Sequence, residues 1–233
     1  MMKVRAARDR FHTEIDWLDS WHCFSFGHHH DPRFMGFRAL RVINDDRVKA
    51  GRGFGTHSHR DAEILSWVLE GALEHKDSMG TGSIIRPGEA QYMCAGTGVS
   101  HSEWNHSKTE PVHFMQIWLL PDRAGHRPSY AQTAFPAADR RGRLCLLASG
   151  DGRDGSLAVH QDVSISTAIV DPGVAVELPL RAGRSAWVQV AKGAVRIGEL
   201  ELVEGDGVAV TDESRLTIEG RAAGSEVLTF DLA

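Results

Sequence analysis

Apolar and polar residues alternate along this chain in short runs, and a period of two predicts strands. FRALRVINDDRV (37–48) alternates and closes on turn residues. EILSWVLEGALEHKDS (63–78) reads as two strands joined near Glu70 and Gly71. SIIRPGEAQYMCAGTG (83–98) reads as a further strand with glycine corners, and PVHFMQIWLL (111–120) is an apolar run of strand length closed by Pro121. The stretch 121–143 has little periodicity and several prolines, which predicts a linker or domain edge with short helices near 129–140. Strand patterns then resume to the C-terminus, through LAVHQDVSISTAIV, SAWVQVAKGAVRIGEL and EVLTFDL among others. Short β segments at regular spacing predict an all-β protein of two barrels or sandwiches. The expected domains are residues 1–130 and 131–233.

Composition narrows the picture. The chain has 233 residues, 42% hydrophobic and 24% charged, in the range of folded globular proteins. A net charge of −5 argues against direct nucleic-acid binding, which needs a basic footprint. The N-terminal MMKVRAARDRFHTEIDW lacks the apolar core of a secretory signal, and no apolar run is long enough for a bilayer. Cys23, Cys94 and Cys145 are an odd set without a C-x-x-C spacing, which predicts reduced thiols and a cytoplasmic protein.

The candidate chemistry is histidine chemistry. With 13 histidines, one H-x-H pair carries little weight, since about 0.7 such pairs arise by chance. His57 and His59 in GTHSHRDAE gain weight from a second pair at the same spacing, His101 and Glu103 in VSHSEWN. Residues two apart on a strand share one face. Both pairs can therefore point into one barrel. Three imidazoles and a carboxylate suit a single divalent transition metal, whereas calcium or magnesium would need more oxygen. The flanking glycines in GRGFG and AGTG allow close backbone approach. His28, His29 and His30 are expected in a polar loop before Asp31–Pro32. His75 and His113, in strand patterns, are weaker candidates for the pocket. Trp17, Trp21, Phe24 and Phe26 are expected to form core or domain-interface packing rather than a ligand platform.

These residues carry a resemblance. GRGFGTHSHRDAEILSWVLEG resembles the first cupin motif and PGEAQYMCAGTGVSHSEWN the second. WLDSWHCFSF, DPRFMGFRALRVINDD, AGTGVSHSEWN and QIWLLP are similar to the pirin family, and specifically to its bacterial quercetin 2,3-dioxygenase-like members. The match is dense over residues 15–121 and thin beyond. It implies a bicupin: two β-barrel or jelly-roll domains packed together, with few short helices and a metal in the first only. The usual proline of the second motif is replaced by Cys94 and Ala95. Cupins at large often take the carboxylate ligand from the glutamate after H-x-H, here Glu63. Glu103 is preferred, since it shares strand parity with His101, and Glu63 and Asn105 become candidates for supporting the ligands.

The resemblance implies iron first, with manganese, nickel, cobalt, copper or zinc as alternatives. It implies cleavage of a flavonol such as quercetin by O₂, with release of carbon monoxide and with Glu103 as both ligand and base. A second reading is a pirin-type regulatory or redox-sensing protein acting through a protein partner. A third is a scaffold in which the metal is structural.

Overall fold

The computed structural model describes residues 1–233. Its strands are β1 (Met2–Arg5), β2 (Phe11–Ile15), β3 (Leu18–His22), β4 (Leu40–Val48), β5 (Gly53–His59), β6 (Glu63–Glu70), β7 (Leu73–Asp77) and β8 (Gly82–Ile85). Next come β9 (Glu89–Cys94), β10 (Val99–Asn105), β11 (Val112–Leu119), β12 (Ser129–Ala134), β13 (Cys145–Ser149), β14 (Leu157–Ala158) and β15 (Val163–Val170). The last are β16 (Ala175–Pro179), β17 (Ser185–Lys192), β18 (Ala194–Ile197), β19 (Leu200–Val203), β20 (Gly207–Val210), β21 (Arg215–Gly220) and β22 (Ser225–Leu232). The single α-helix is one turn, α1 (Ala137–Arg140). The protein is all-β, as the alternation predicts. No helix is long and apolar enough to cross a membrane.

The chain forms two compact units that exchange short segments. One holds Phe11–Ala134 and Val159–Gln161; the other holds Met1–Arg10, Phe135–Ala158 and Asp162–Ala233. The expected cut after residue 130 therefore misses two exchanged segments. The N-terminal ten residues belong to the second unit because β1 pairs antiparallel with β20, Met2 opposite Val210. The stretch 121–143, read as irregular, contains β12, an edge strand that pairs along β9 from Ser129–Cys94 to Ala134–Glu89. Its small polar residues hide the alternation that larger side chains would have shown. The run 83–98 is two strands, because Pro87 and Gly88 (φ 82°) break it between β8 and β9.

Each unit contains a seven-stranded and a four-stranded sheet. In the first unit these are β12-β9-β6-β11-β4-β3-β2 and β5-β10-β7-β8; in the second, β1-β20-β17-β22-β15-β13-β14 and β16-β21-β18-β19. The interiors differ in chemistry. In the second unit an apolar cluster including Val188, Val190, Val195, Ile197, Val208, Ile218 and Val227 fills the core. All of the protein's histidines lie in the first unit.

The first unit is layered. An apolar floor is made by Leu18, Val48, Val68, Leu73, Ile85, Val112 and Phe114. A smaller apolar cluster, Ile64, Met93 and Val99, packs with Trp118 and Tyr130. The large sheet also carries a polar row set by register: Gln91 opposite Ser66, Ser66 opposite Gln116, Gln116 opposite Asn44, and Asn44 opposite His22. Five strands thus each contribute one buried polar side chain to the same row. Buried polar groups in this number are tolerated only when they bond to something.

Glycine permits the close approach of β5 to β10. A Cβ on Gly53 would stand 2.3 Å from the Glu103 carbonyl oxygen and 2.5 Å from the Trp104 Cα. Backbone atoms cannot swing away as a side chain could. Gly53→Ala is expected to destabilise the protein by about 1–3 kcal/mol, as overpacked sites do. Urea unfolding of the metal-free protein measures this, and a loss below about 0.5 kcal/mol, the size of an ordinary surface change, would contradict it.

Candidate metal centre

Strands β5, β10 and β7 lie side by side in the small sheet and share one inward face. His57 stands opposite His101, His101 opposite Asp77, and Glu103 opposite His75. A bulge between His101 and Glu103 adjusts the β10 register against β5. The ring centroids of His57, His59 and His101 are 4.5–4.9 Å apart in pairs. Their ligating atoms all fall within 4.8 Å of one another. The Nε2 atoms of His57 and His101 approach to 3.1 Å.

The protonation pattern suits metal binding, since a ligand histidine must offer a lone pair. Burial, followed by the charge of His57, pulls His59 down to about 4. Burial, then His57, His59 and His75, pull His101 down to about 3. Both rings are therefore neutral at physiological pH. The His57 Nδ1–H donates to the Gly55 carbonyl at 2.8 Å, which leaves Nε2 as its free lone pair.

Glu103 sits beside this triangle and is fully buried. Its carboxylate forms a compact donor group with His101 and His75. The polar row of the large sheet supplies its hydrogen bonds: Gln116 donates to Oε2 at 2.6 Å, and Ser66 and Gln91 donate to Oε1 at 3.2 and 3.1 Å. Burial raises the Glu103 pKa, against the lowering effects of His75, His57, Gln116 and Ser66. The donor set, three imidazoles with an adjacent carboxylate, fits one borderline divalent ion.

Two side chains expected to support the ligands do other work. Glu63 faces away from the metal face. The polar row puts Ser66 inward, so Glu63, an odd number of positions away, points outward on β6. There it accepts from Tyr92 Oη and from the His160 backbone N–H at 2.9 Å, with Cys94 directly opposite in register. It anchors the 159–161 segment. Asn105 pins a loop: its amide donates to the carbonyls of Val48 (3.0 Å) and Glu110 (2.8 Å), and its oxygen accepts from Ser107 N–H (2.9 Å). The groups that do touch Glu103, namely Ser66, Gln91 and Gln116, lie in nearly continuous apolar strands, where only register reveals them. Cys94 is buried, as expected of a small hydrophobe, and burial followed by Glu63 pushes its thiol up to about 12.

Aromatic rings border the histidines. Trp118 meets His59 edge-on at 4.8 Å, and Phe26 meets Trp118 edge-on at 5.5 Å. Phe26 is therefore part of the wall beside the site as well as packing. His29, in the GHHHD loop, stacks on Phe11 at 5.4 Å and bonds Thr13 at 3.0 Å, which ties the loop to β2.

A polar, histidine-bearing β-sandwich followed by an apolar one defines a two-domain cupin protein with a metal-binding first domain. The chain belongs to the pirin family: the pirin model matches residues 3–119, and that of the quercetinase C-terminal cupin domain matches residues 146–232. It is 48% identical to the quercetin 2,3-dioxygenase of Escherichia coli strain K12, over 100% of this chain and 99% of that protein. The structure of the bacterial pirin YhhW from Escherichia coli in complex with nickel(II) superposes with a TM-score of 0.94 at 47% identity, covering 100% of this chain and 99% of that one. A quercetin 2,3-dioxygenase from Acinetobacter baumannii, 18% identical, shares the fold with a TM-score of 0.76 over 99% of this chain and 85% of that one.

The polar interior has a pH signature. Asp46 accepts from Ser20 Oγ, and burial raises its carboxyl from 3.8 to about 7. An acid whose folded pKa lies above its unfolded value stabilises fully below the unfolded pKa and loses that contribution as pH rises towards the folded one. The stability of wild type minus that of Asp46→Asn should therefore fall from about pH 4 to about pH 7 and level off above. Thermal melting of both metal-free proteins across this range checks it, and a wild type that holds or gains stability relative to the variant as pH rises would contradict it.

Proposed function

We propose that the protein is a metal-dependent, non-haem dioxygenase that cleaves flavonols such as quercetin with O₂, inserting both oxygen atoms and releasing carbon monoxide. The observation that carries this reading is the convergence of His57, His59 and His101 beside a buried Glu103 whose carboxylate is held by three donors. The E. coli relative's name and the nickel(II) complex support the same reading. His57, His59, His101 and Glu103 would hold one divalent transition metal, iron being the first choice and nickel, present in the complex of the E. coli relative, an alternative. When bound, the ion supplies Lewis acidity towards the substrate's 3-hydroxyl oxygen and a place for O₂.

The chain's own residues do the rest. Glu103, the carboxylate of the set, is the base, and it takes the proton of the 3-hydroxyl on one of its oxygens. Gln116, Ser66 and Gln91 keep that carboxylate oriented while it holds the proton. Trp118 and Phe26 give the flat substrate an apolar wall and limit water at the reacting carbon. The polar histidine side and the aromatic wall together select a molecule with an enolic hydroxyl at the edge of an aromatic ring system. Three cysteines that form no disulfide fit a reducing compartment, and we assign the enzyme to the cytoplasm.

Carbon monoxide in the headspace of an O₂-supplied quercetin reaction tests the proposal. Metal-reconstituted wild type is expected to produce it, and Glu103→Gln is expected to lose about 10²–10⁴-fold in rate, the scale of a removed general base. Wild type that binds metal yet makes no carbon monoxide would overturn the proposal in favour of a regulatory pirin acting through a protein partner.

A further inference from the structure

Behind His101 lies a second histidine–carboxylate pair that the ligand set does not use. His75 and Asp77 are two apart on β7, and both side chains are fully buried. His75 Nε2 is 3.2 Å from Asp77 Oδ2. His75 Nδ1 faces His101 Nδ1 at 3.5 Å, at the long end of the hydrogen-bond range.

The direction of this chain follows from its ends. Asp77 Oδ1 caps the turn after β7, accepting from Met79 N–H at 2.8 Å and Thr81 N–H at 3.0 Å. A carboxylate so held is an acceptor, so His75 Nε2 carries the proton and donates to Oδ2. His75 Nδ1 is then a bare acceptor. At the other end, His101 Nε2 converges on His57 Nε2 at 3.1 Å, on the side where a metal would sit. The proton of His101 therefore lies on Nδ1 and points at His75. The plane of His75 is fixed as well: Tyr130 stacks on it at 4.8 Å and 26°, and the Tyr130 hydroxyl is tied to Ser83, Gln132 and Gln91.

We propose that Asp77 and His75 form a positioning relay for the metal ligand His101. The relay fixes the His101 tautomer with Nε2 towards the ion, and it passes Asp77's negative charge through two imidazoles to make that nitrogen a stronger donor. In this assignment both act through His101 and neither is a ligand. Outer partners of this kind govern metal affinity at many histidine sites. The inference rests on the assignment of His101 as a ligand, and it adds a reason why β7 carries a buried H-x-D pair.

The test is metal affinity, which does not depend on flavonol turnover. Nickel(II) dissociation constants are measured by chelator competition, with cobalt(II) absorption spectra alongside. Asp77→Asn can keep the turn cap through its amide oxygen but presents N–H groups to His75 Nε2, which forces the opposite tautomer. It is expected to weaken nickel binding by about 10–100-fold and to shift the cobalt bands. His75→Phe, which has no acceptor, is expected to do the same. His75→Gln, whose amide oxygen can still accept from His101, is expected to restore most of the affinity. Asp122→Asn breaks another carboxylate–histidine pair, with His126 at 2.6 Å, and should leave affinity unchanged. Wild-type affinity and spectra in folded Asp77→Asn and His75→Phe would overturn the proposal. So would equal losses in His75→Phe and His75→Gln with an unshifted cobalt spectrum. Wild type that binds nickel tightly without turning over quercetin would count against the dioxygenase reading alone.

Discussion

The antiparallel pairing of β10 with β5 on one side and β7 on the other is the constraint on which the site depends. It puts His57 and Asp77 on either side of His101, and His75 across from Glu103. Side chains in register on neighbouring strands lie within about 5 Å of one another, so no loop has to fold over to bring the donors together. A slip of one residue would turn every one of them to the opposite face. Gly53 holds that register by letting two backbones approach where a Cβ would collide.

The large sheet answers this arrangement with hydrogen bonds. A buried carboxylate is costly unless its oxygens are satisfied, and Glu103 receives donors from three different strands. The same row of polar side chains continues to Asn44 and His22, where His22 Nδ1 meets Asn44 Oδ1 at 2.8 Å. An interior this polar gives up hydrophobic stabilisation that the second unit, filled with valine and isoleucine, retains. The contrast divides the labour between the units: one interior is packed for stability, and the other is kept polar around the histidines.

Much of this was legible in the sequence because strand parity is a two-residue rule. His57–His59 and His101–Glu103 obey it visibly, and the all-β class follows from the same alternation. His75–Asp77 obeys it too, in EHKDS, and a search for every buried-type pair at that spacing would have singled it out. Glu63 misleads because four residues after an H-x-H pair looks adjacent in sequence, yet Asp61 (φ 48°) turns the chain and sends Glu63 to the far face of β6. Ser66, Gln91 and Gln116 carry no local signal. Their meeting point exists only once three strands are laid in register. The segment exchange that sends Met1–Arg10 to one unit and Val159–Gln161 to the other is likewise a product of tertiary pairing, which no local pattern encodes.

One group of side chains that shares no residue with this site could compete for a metal: Glu63, Cys94 and His160, whose donor atoms also lie within 4.8 Å of one another. It contains a thiol, and the histidine site contains none, so the two are distinguishable by the atoms around the ion. X-ray absorption on the nickel-loaded protein, with metal content measured on the same sample, is therefore the most direct test of the central claim. The account predicts one ion per chain surrounded only by nitrogen and oxygen, with the imidazole multiple-scattering pattern of several histidines. A sulfur neighbour at about 2.3 Å, the length of a metal–thiolate bond, would contradict it.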